Sequence, residues 1–336
     1  MRAWCVRVPV SEGEAIRRRL REEGILLKHL AIRREGDVLL LPTARRVDVG
    51  WPAEEAEFEE AFAPVRNYLG LVEVPERLRP LLPRSFDVIG DIAVVRIPED
   101  LEDYRASIGD AILRWNPKIR VVAQDRGVQG ELRIRRIEIL AGEPRTTTVH
   151  AEYGLKYHVD VARAYFSPRL GTERRRIAEQ VAPGEAVADP FAGVGPYAIL
   201  IARRRSPSRV VASDTNPVAA DLLRRNVAAN RAPGVEVLEG DARDVLRRIA
   251  PLDRVILDLP HTAVDFLPDT LAALATRGTV HLYAILRAEE REDRAAEIRY
   301  LVESADRRVE ALTLHSVRAY SPRQHHVAFD ITVGPR

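Results

Sequence analysis

The chain has one cysteine, Cys5, and one methionine among 336 residues. A single thiol can neither close a disulfide framework nor build a cysteine-rich metal site. Lysine is almost missing too: Lys28, Lys118 and Lys156 stand among 52 basic residues. The positive side is therefore arginine, whose flat fork matches phosphates and base edges better than an ammonium does, although a GC-rich genome gives the same bias. Formal net charge is only +2, and no apolar run approaches the length of a membrane span. The N-terminus lacks the pattern of a secretory signal. The expectation is a soluble, cytoplasmic protein, with no membrane association. Eight histidines are scattered, and His325-His326 has no further ligands at metal spacing, so no protein-bound metal is expected. Sparse Asn and Gln, many prolines and dense Arg/Glu pairing are compatible with a thermophile.

The length suffices for two or three domains with real cores. The most informative stretch is residues 185–217, EAVADPFAGVGPYAILIARRRSPSRVVASDTNP. An apolar run closes on Asp189, a turn carries Gly193 and Gly195, a helical segment follows, and a second apolar run closes on Asp214. Strand, glycine turn, helix, strand and acid are the grammar of a nucleotide-binding half of a doubly wound sheet. The glycines permit close backbone approach, and Asp214 can accept from ribose hydroxyls. A dinucleotide fingerprint fits this stretch as well, but three neighbours favour another ligand. Asp189 precedes the glycines, where it suits a cationic ammonium group. Asp241, with Ala242, follows a third apolar run and can accept from an adenine amine. Asp258-Leu259-Pro260 ends a fourth run, on the side where a methyl group would be received. Together they describe a pocket for S-adenosylmethionine.

Ahead of this domain lie two smaller α/β modules. The first module is residues 1–60; residues 1 to about 50 alternate strand and helix signals, with Ser11 and Glu14 as a capping box for a helix through Glu23. Residues 43–76 read as a linker with one short helix. Residues 77–170 contain a strand at 86–95, a helix at 102–115, and strands at 119–123, 131–140 and 147–152. Alternation along 131–139 implies one buried and one charged face, with Arg133, Arg135 and Lys156 forming a basic sheet face. Residues 171–336 supply the donor domain, with further helices at 217–231 and 289–305, a fifth strand at 278–284, and a final hairpin of 308–317 with 325–333. The fold class is thus α/β, a class I Rossmann-like methyltransferase domain preceded by two modules. At the junction, two aromatics and a run of arginines between Tyr165 and Arg176 suit a base pulled from its stack.

Tyr165-Phe166-Ser167-Pro168-Arg169-Leu170 with Glu173-Arg174, the Asp189-Pro190-Phe191-Ala192-Gly193-Val194-Gly195-Pro196 loop, Ser213-Asp214-Thr215-Asn216-Pro217, and Tyr320-Ser321-Pro322-Arg323 resemble the archaeal and eukaryotic tRNA (guanine-N1)-methyltransferases that act at position 37. The resemblance covers nearly the whole chain. It implies a tRNA partner, held at the anticodon loop and by the N-terminal module at the outer corner, and a monomer without an obligate protein partner. Guanine N1 carries a proton, so the reaction needs a base and a donor for charge growing on O6. The resemblance places these roles on Glu173 and Arg133. Glu173 also lies among arginines at a helix start, where a carboxylate is often only an ion-pair partner. By the same resemblance Tyr165 and Arg169 hold the nucleotide, and Asp189, Phe191, Gly193, Gly195, Asp214, Asp241 and Ala242 contact the donor.

One position departs from the family pattern. Asp258 stands where an asparagine is usual, followed after one residue by Pro260. Either the backbone geometry set by Pro260 is what matters, or the base contact differs and with it the modified atom. Two other readings remain at this level. A wybutosine-pathway relative would methylate a carbon of the tricyclic base or transfer an aminocarboxypropyl group. An RNA-binding protein with a relic donor pocket would transfer nothing.

Overall fold

The structure, a computed structural model, describes residues 1–59, 67–129 and 134–336. It divides into two compact units, Met1–Leu71 and Val72–Arg336.

The first unit is a small α/β fold. Strands β1 (Arg2–Pro9), β2 (Arg33–Glu35), β3 (Val38–Thr43) and β4 (Ala53–Glu57) form an antiparallel sheet in the order β2-β3-β1-β4, with helix α1 (Gly13–Glu22) between the first two in sequence. Leu20 of α1 packs with Val6, Val8 and Leu41, and Cys5 with Leu40 and Phe58 on the other face. Two readings change here. The residue ahead of α1 is Glu12, and no side chain caps the helix; a turn across Pro9–Val10 bonds Glu12 and Gly13 back to it instead. The expected linker contributes β4, which pairs with β1, and its short helix is the 3-10 turn at Tyr68–Leu71.

In the second unit, β5 (Asp87–Ile89), β6 (Ile92–Val95), α2 (Arg105–Trp115), β7 (Val121–Gln129) and β8 (Ile134–Gly142) make a four-stranded sheet with a covering helix. The expected strand at 86–95 is a hairpin, because Gly90 at φ +57 turns the chain and its missing Cβ admits Thr148 and the Val149 carbonyl. β9 (Thr147–Glu152) and β10 (Leu155–Asp160) pair with each other in a separate ribbon. Arg135 on β8 and Lys156 on β10 therefore belong to different sheets, and the expected basic face does not form from them.

The rest is a doubly wound domain: α3 (Gly171–Gln180), β11 (Ala186–Asp189), α4 (Pro196–Arg204), β12 (Arg209–Asp214), α5 (Pro217–Ala229), β13 (Val235–Glu239), α6 (Ala242–Ile249), β14 (Leu252–Leu257), α7 (Leu267–Ala273), β15 (Leu274–Leu286), α8 (Arg291–Ser304), β16 (Arg307–Ala319) and β17 (His325–Pro335). The sheet order is β13-β12-β11-β14-β15-β17-β16, parallel as far as β15 and antiparallel beyond. Strand residues alternate between two cores. Val187, Val210, Ala212 and Ile256 join residues of α3, α4 and α5, whereas Ala188, Val211, Val255 and Leu257 join residues of α6, α7 and α8. Helices on both faces explain why these strands read as unbroken apolar runs. The first core continues into Ile92, Val94, Val121 and Ala123 of the four-stranded sheet.

A chain of paired charges interrupts this apolar interior behind α3. Arg176 of α3 forks onto Glu173 at 2.7 and 2.8 Å and also bonds Asp330 of β17. Asp330 meets His281 Nδ1 at 2.7 Å, His281 Nε2 meets Arg254 at 2.7 Å, and Arg254 forks onto Glu185. Removing Arg176 would strand Glu173 and Asp330 with unbalanced charge. Arg176→Met is expected to lower unfolding free energy by about 3 kcal/mol, as measured by urea denaturation. A change below about 1 kcal/mol would show that α3 docks without this pairing.

Candidate active site

Sheet order reverses at β11: the chain runs outward through β12 and β13, then returns to β14 on the other side. Crevices in open α/β sheets form at the carboxyl ends of strands beside such a reversal. A cavity of about 390 Å³ opens there, lined among others by Tyr165, Phe191, Gly193, Asp214, Asp241, Asp258 and Pro260.

The glycine turn shapes one wall. Gly195 has φ +87, and a Cβ there would strike Leu223 at 2.2 Å, so only glycine allows α4 to start against α5. Gly193 has φ +55, and its amide donates to Asp214 Oδ2 at 2.8 Å. Asp214 Oδ1 accepts from the Asn216 amide, also at 2.8 Å. Asp241 caps α6 by accepting from the Arg243 amide at 2.8 Å, which sets buried Ala242 at the first helical position. Phe191 meets Phe266 edge to face at 4.9 Å, and the Arg243 guanidinium covers Phe266 at 4.0 Å. This gives the cavity an apolar aromatic side.

Its electrostatics are acidic. Asp189 is fully buried with no hydrogen-bond partner for either carboxylate oxygen. It does not line the cavity itself, but Pro190 and Phe191, next in the chain, do. Burial pushes its pKa well above the usual range, Asp258 and Asp214 add to the rise, and the Phe191 amide opposes it only in part. Asp214 is also raised by burial, against the two amides that bond it. Carboxylates withdrawn from water with no cation in ion-pair range are costly unless a positive ligand enters. These residues fit a donor with an ammonium, a sulfonium, a ribose and a purine.

Asp258 follows β14 and faces the same cavity. Its nearest basic neighbour is His326 Nε2, 3.9 Å from Oδ1, which is beyond hydrogen-bonding reach and has no other partner. Burial pushes Asp258 up to about 6; Glu173 adds to the rise, and Arg174 and Arg318 oppose it. Burial lowers His326 to about 4, which leaves the ring neutral. Tyr165 lies on the cavity wall under the Arg135 guanidinium, 5.8 Å from its ring centre.

Other expected residues stand apart. Arg169 is half exposed, paired with Asp87, and outside the cavity lining. Glu173 is buried and also outside the lining, with Oε1 accepting from Tyr283 at 2.7 Å and both oxygens from Arg176. Arg133 lies outside the described residues. Phe266, Ile285, Arg318 and His326 line the cavity but were not expected to. Of these only His326 left a trace in the sequence, as a polar residue inside an apolar strand.

Comparison with known proteins agrees with the geometry. Residues 148–311 match the model of the TRM5/TYW2 methyltransferase domain, residues 65–146 that of the TYW2 N-terminal domain, and residues 5–49 that of the tRNA methyltransferase 5 N-terminal domain. A curated tRNA (guanine(37)-N(1))-methyltransferase Trm5b of Pyrococcus abyssi is 38% identical over 98% of both chains. The crystal structure of Trm5b from that organism superposes with a TM-score of 0.82 over 99% of each chain. The complex of aTrm5 with tRNALeu, at 29% identity, superposes at 0.75, covering 98% of this chain and 99% of that one. A tRNA 4-demethylwyosine(37)-methyltransferase Taw21 of Saccharolobus solfataricus is 32% identical, covering 74% of this chain and 93% of its own.

The raised Asp258 has a consequence for stability. Folding binds a proton on this group between the unfolded value near 4 and the folded value of about 6. Stability therefore falls as pH rises across that window, and the penalty is complete above it. Asp258→Asn is expected to stabilise the free protein by roughly 2 kcal/mol at pH 8 and by little at pH 4, as read by thermal unfolding at both. Equal effects at the two pH values would contradict the raised pKa.

Proposed function

This chain belongs to the tRNA (guanine(37)-N(1))-methyltransferase family, and we propose how its residues divide the work of methylating guanine N1 at position 37 with S-adenosylmethionine. The donor supplies a methyl group on a positively charged sulfur. Asp189 answers its ammonium, Asp214 its ribose, and Asp241 with Ala242 its adenine, beside the Phe191 and Phe266 rings. Gly193 and Gly195 let the backbone approach it. The observation that carries this reading is the set of unneutralised carboxylates around one cavity at the strand tips.

Tyr165, already on the cavity wall, is placed to stack on the extruded guanine. Arg169, half exposed, suits a phosphate. Pro260 sets the backbone beyond Asp258, and Arg133 by family resemblance faces O6. Before transfer the N1 proton has to leave toward a carboxylate, and two stand near: Glu173, which the resemblance nominates, and Asp258. The module at 77–170 is assigned to the anticodon loop and residues 1–60 to the tRNA outer corner, in keeping with the likeness to a tRNA-bound relative. On this reading the protein acts in the cytoplasm, where its substrate is, as a monomer.

A second reading is favoured by the match of residues 65–146 to the TYW2 N-terminal model and by the Taw21 relative: a further carbon methylation in the wybutosine route. Incubating the protein with labelled donor and either unmodified tRNA or tRNA carrying the tricyclic intermediate, then identifying nucleosides by mass spectrometry, separates the two. 1-Methylguanosine from the first tRNA is expected.

Deleting residues 1–60 is expected to weaken tRNA binding about tenfold or more and to leave donor affinity by calorimetry unchanged. Unaltered kinetics on full-length tRNA would remove the docking role.

A further inference from the structure

We infer that Asn216 is a positioning residue for the transfer: its side-chain amide ties the segment that carries Tyr165 to the strand tip that carries Asp214. The inference rests on the reading that Tyr165 stacks on the extruded base, whichever atom of that base is methylated.

Asn216 is buried and does not line the cavity, although its neighbour Thr215 does. It makes three separate bonds. Its backbone amide donates to Asp214 Oδ1 at 2.8 Å. Its side-chain oxygen accepts from the Val218 amide at 3.0 Å and caps α5. Its side-chain nitrogen donates to the Arg163 carbonyl at 2.7 Å. A backbone N–H on one side and a backbone carbonyl on the other fix which way the amide points. Capping needs only an acceptor, which serine or threonine supplies as well. The bond to Arg163 is the part that those residues could not make.

That bond falls where the chain turns toward the cavity. Arg163 precedes Tyr165 by two positions, and the segment is anchored on both sides of the tyrosine. Ahead of it the Arg163 and Ala164 amides bond back to the Asp160 carbonyl, and beyond it the Arg174 guanidinium donates to the Ser167 carbonyl at 2.7 Å. The Tyr165 carbonyl faces Gly193, where a Cβ would approach it to 3.2 Å. Gly193 in turn donates to the second oxygen of Asp214. The two backbone amides that grip Asp214 therefore belong to the two residues that meet the Tyr165 segment. Further from the site α5 makes a second tie of the same kind, where Asn226 bonds the amide and carbonyl of His158 and the Val194 carbonyl. Reacting atoms have to meet within about 3–3.5 Å, so a side chain that bonds the carriers of both the donor and the base sets their separation.

kcat/KM for unmodified tRNA should be measured for the wild type, Asn216→Ser, Asn216→Thr, Tyr165→Ala and each Asn216 replacement combined with Tyr165→Ala, with donor affinity by calorimetry. Both replacements cap α5 and keep the backbone amide on Asp214, but a short hydroxyl engaged with Val218 does not reach Arg163. Each is expected to lose about tenfold with donor affinity unchanged. Tyr165→Ala is expected to lose about tenfold or more. Adding either Asn216 replacement to it is expected to cost nothing further, because a residue that acts through Tyr165 then has nothing left to position. A purely structural role would leave the losses additive. Additive losses, wild-type kcat/KM in the Asn216 variants, or a matching loss of donor affinity would each overturn the inference. Should Asn216→Ser fail to fold, the Asn216→Thr pair decides alone. Wild-type kcat/KM in Tyr165→Ala would overturn the stacking reading, and the inference with it.

Discussion

A run of alternating buried charge, Glu173–Arg176–Asp330–His281–Arg254–Glu185, ties α3 to β14, β15 and β17. Taking such groups out of water is costly, and the cost is offset only when each charge has its partner and each remaining lone pair a donor. That condition is met along the run. Arg254 donates to His281 Nε2, so the ring proton sits on Nδ1 and is donated to Asp330. The ring can therefore stay neutral between an arginine and an aspartate, in line with the fall that burial imposes on its pKa. Asp330, bonded by His281 and Arg176, is held well below the usual carboxylate range. Because a one-turn slip of α3 would break several of these pairings together, they fix that helix more specifically than apolar packing does. Tyr165 and Arg169, just ahead of α3, inherit their position from it.

The cavity follows the opposite rule. Asp189, Asp214 and Asp258 are each raised by burial, Asp258 and Asp214 push Asp189 further toward the neutral form, and among the described residues none of the three has an arginine in ion-pair range. Such a cluster persists because a doubly wound sheet can bring the tips of β11, β12 and β14 together only where the strand order reverses, and the surrounding core supports the strain. A positive ligand relieves it, so affinity for a cation and instability of the empty site are one property seen twice.

Much of this was legible in residues 185–217, because a glycine turn and an acid at each strand end are local signals with one physical cause apiece. Strand and helix signals from Ala186 to Val333 recur in the sheet and its covers, since continuous apolar runs with helices between them allow few other arrangements. What stayed hidden depends on long range. Arg318 and His326 reach the cavity only because β16 and β17 add to the far edge beyond β15. The partners of Glu173 come from the next helical turn and from a strand about 110 residues on. Ser11 and Glu14 have capping-box spacing, but the turn after Pro9 places Glu12 ahead of the helix, so a local pattern lost to backbone geometry. Arg135 and Lys156 were grouped by charge, and the sheet order separated them.

Glu173 and Asp258 illustrate how one fold gives two like groups different surroundings. Glu173 is buried and the Asp258 side chain is only 13% exposed, so burial does little to distinguish them. Glu173 is given a guanidinium and a phenol, which fix its direction. Asp258 is given a neutral imidazole beyond bonding distance and a like charge behind it. Asp258 runs directly into the Leu259–Pro260 turn, and all three line the same cavity.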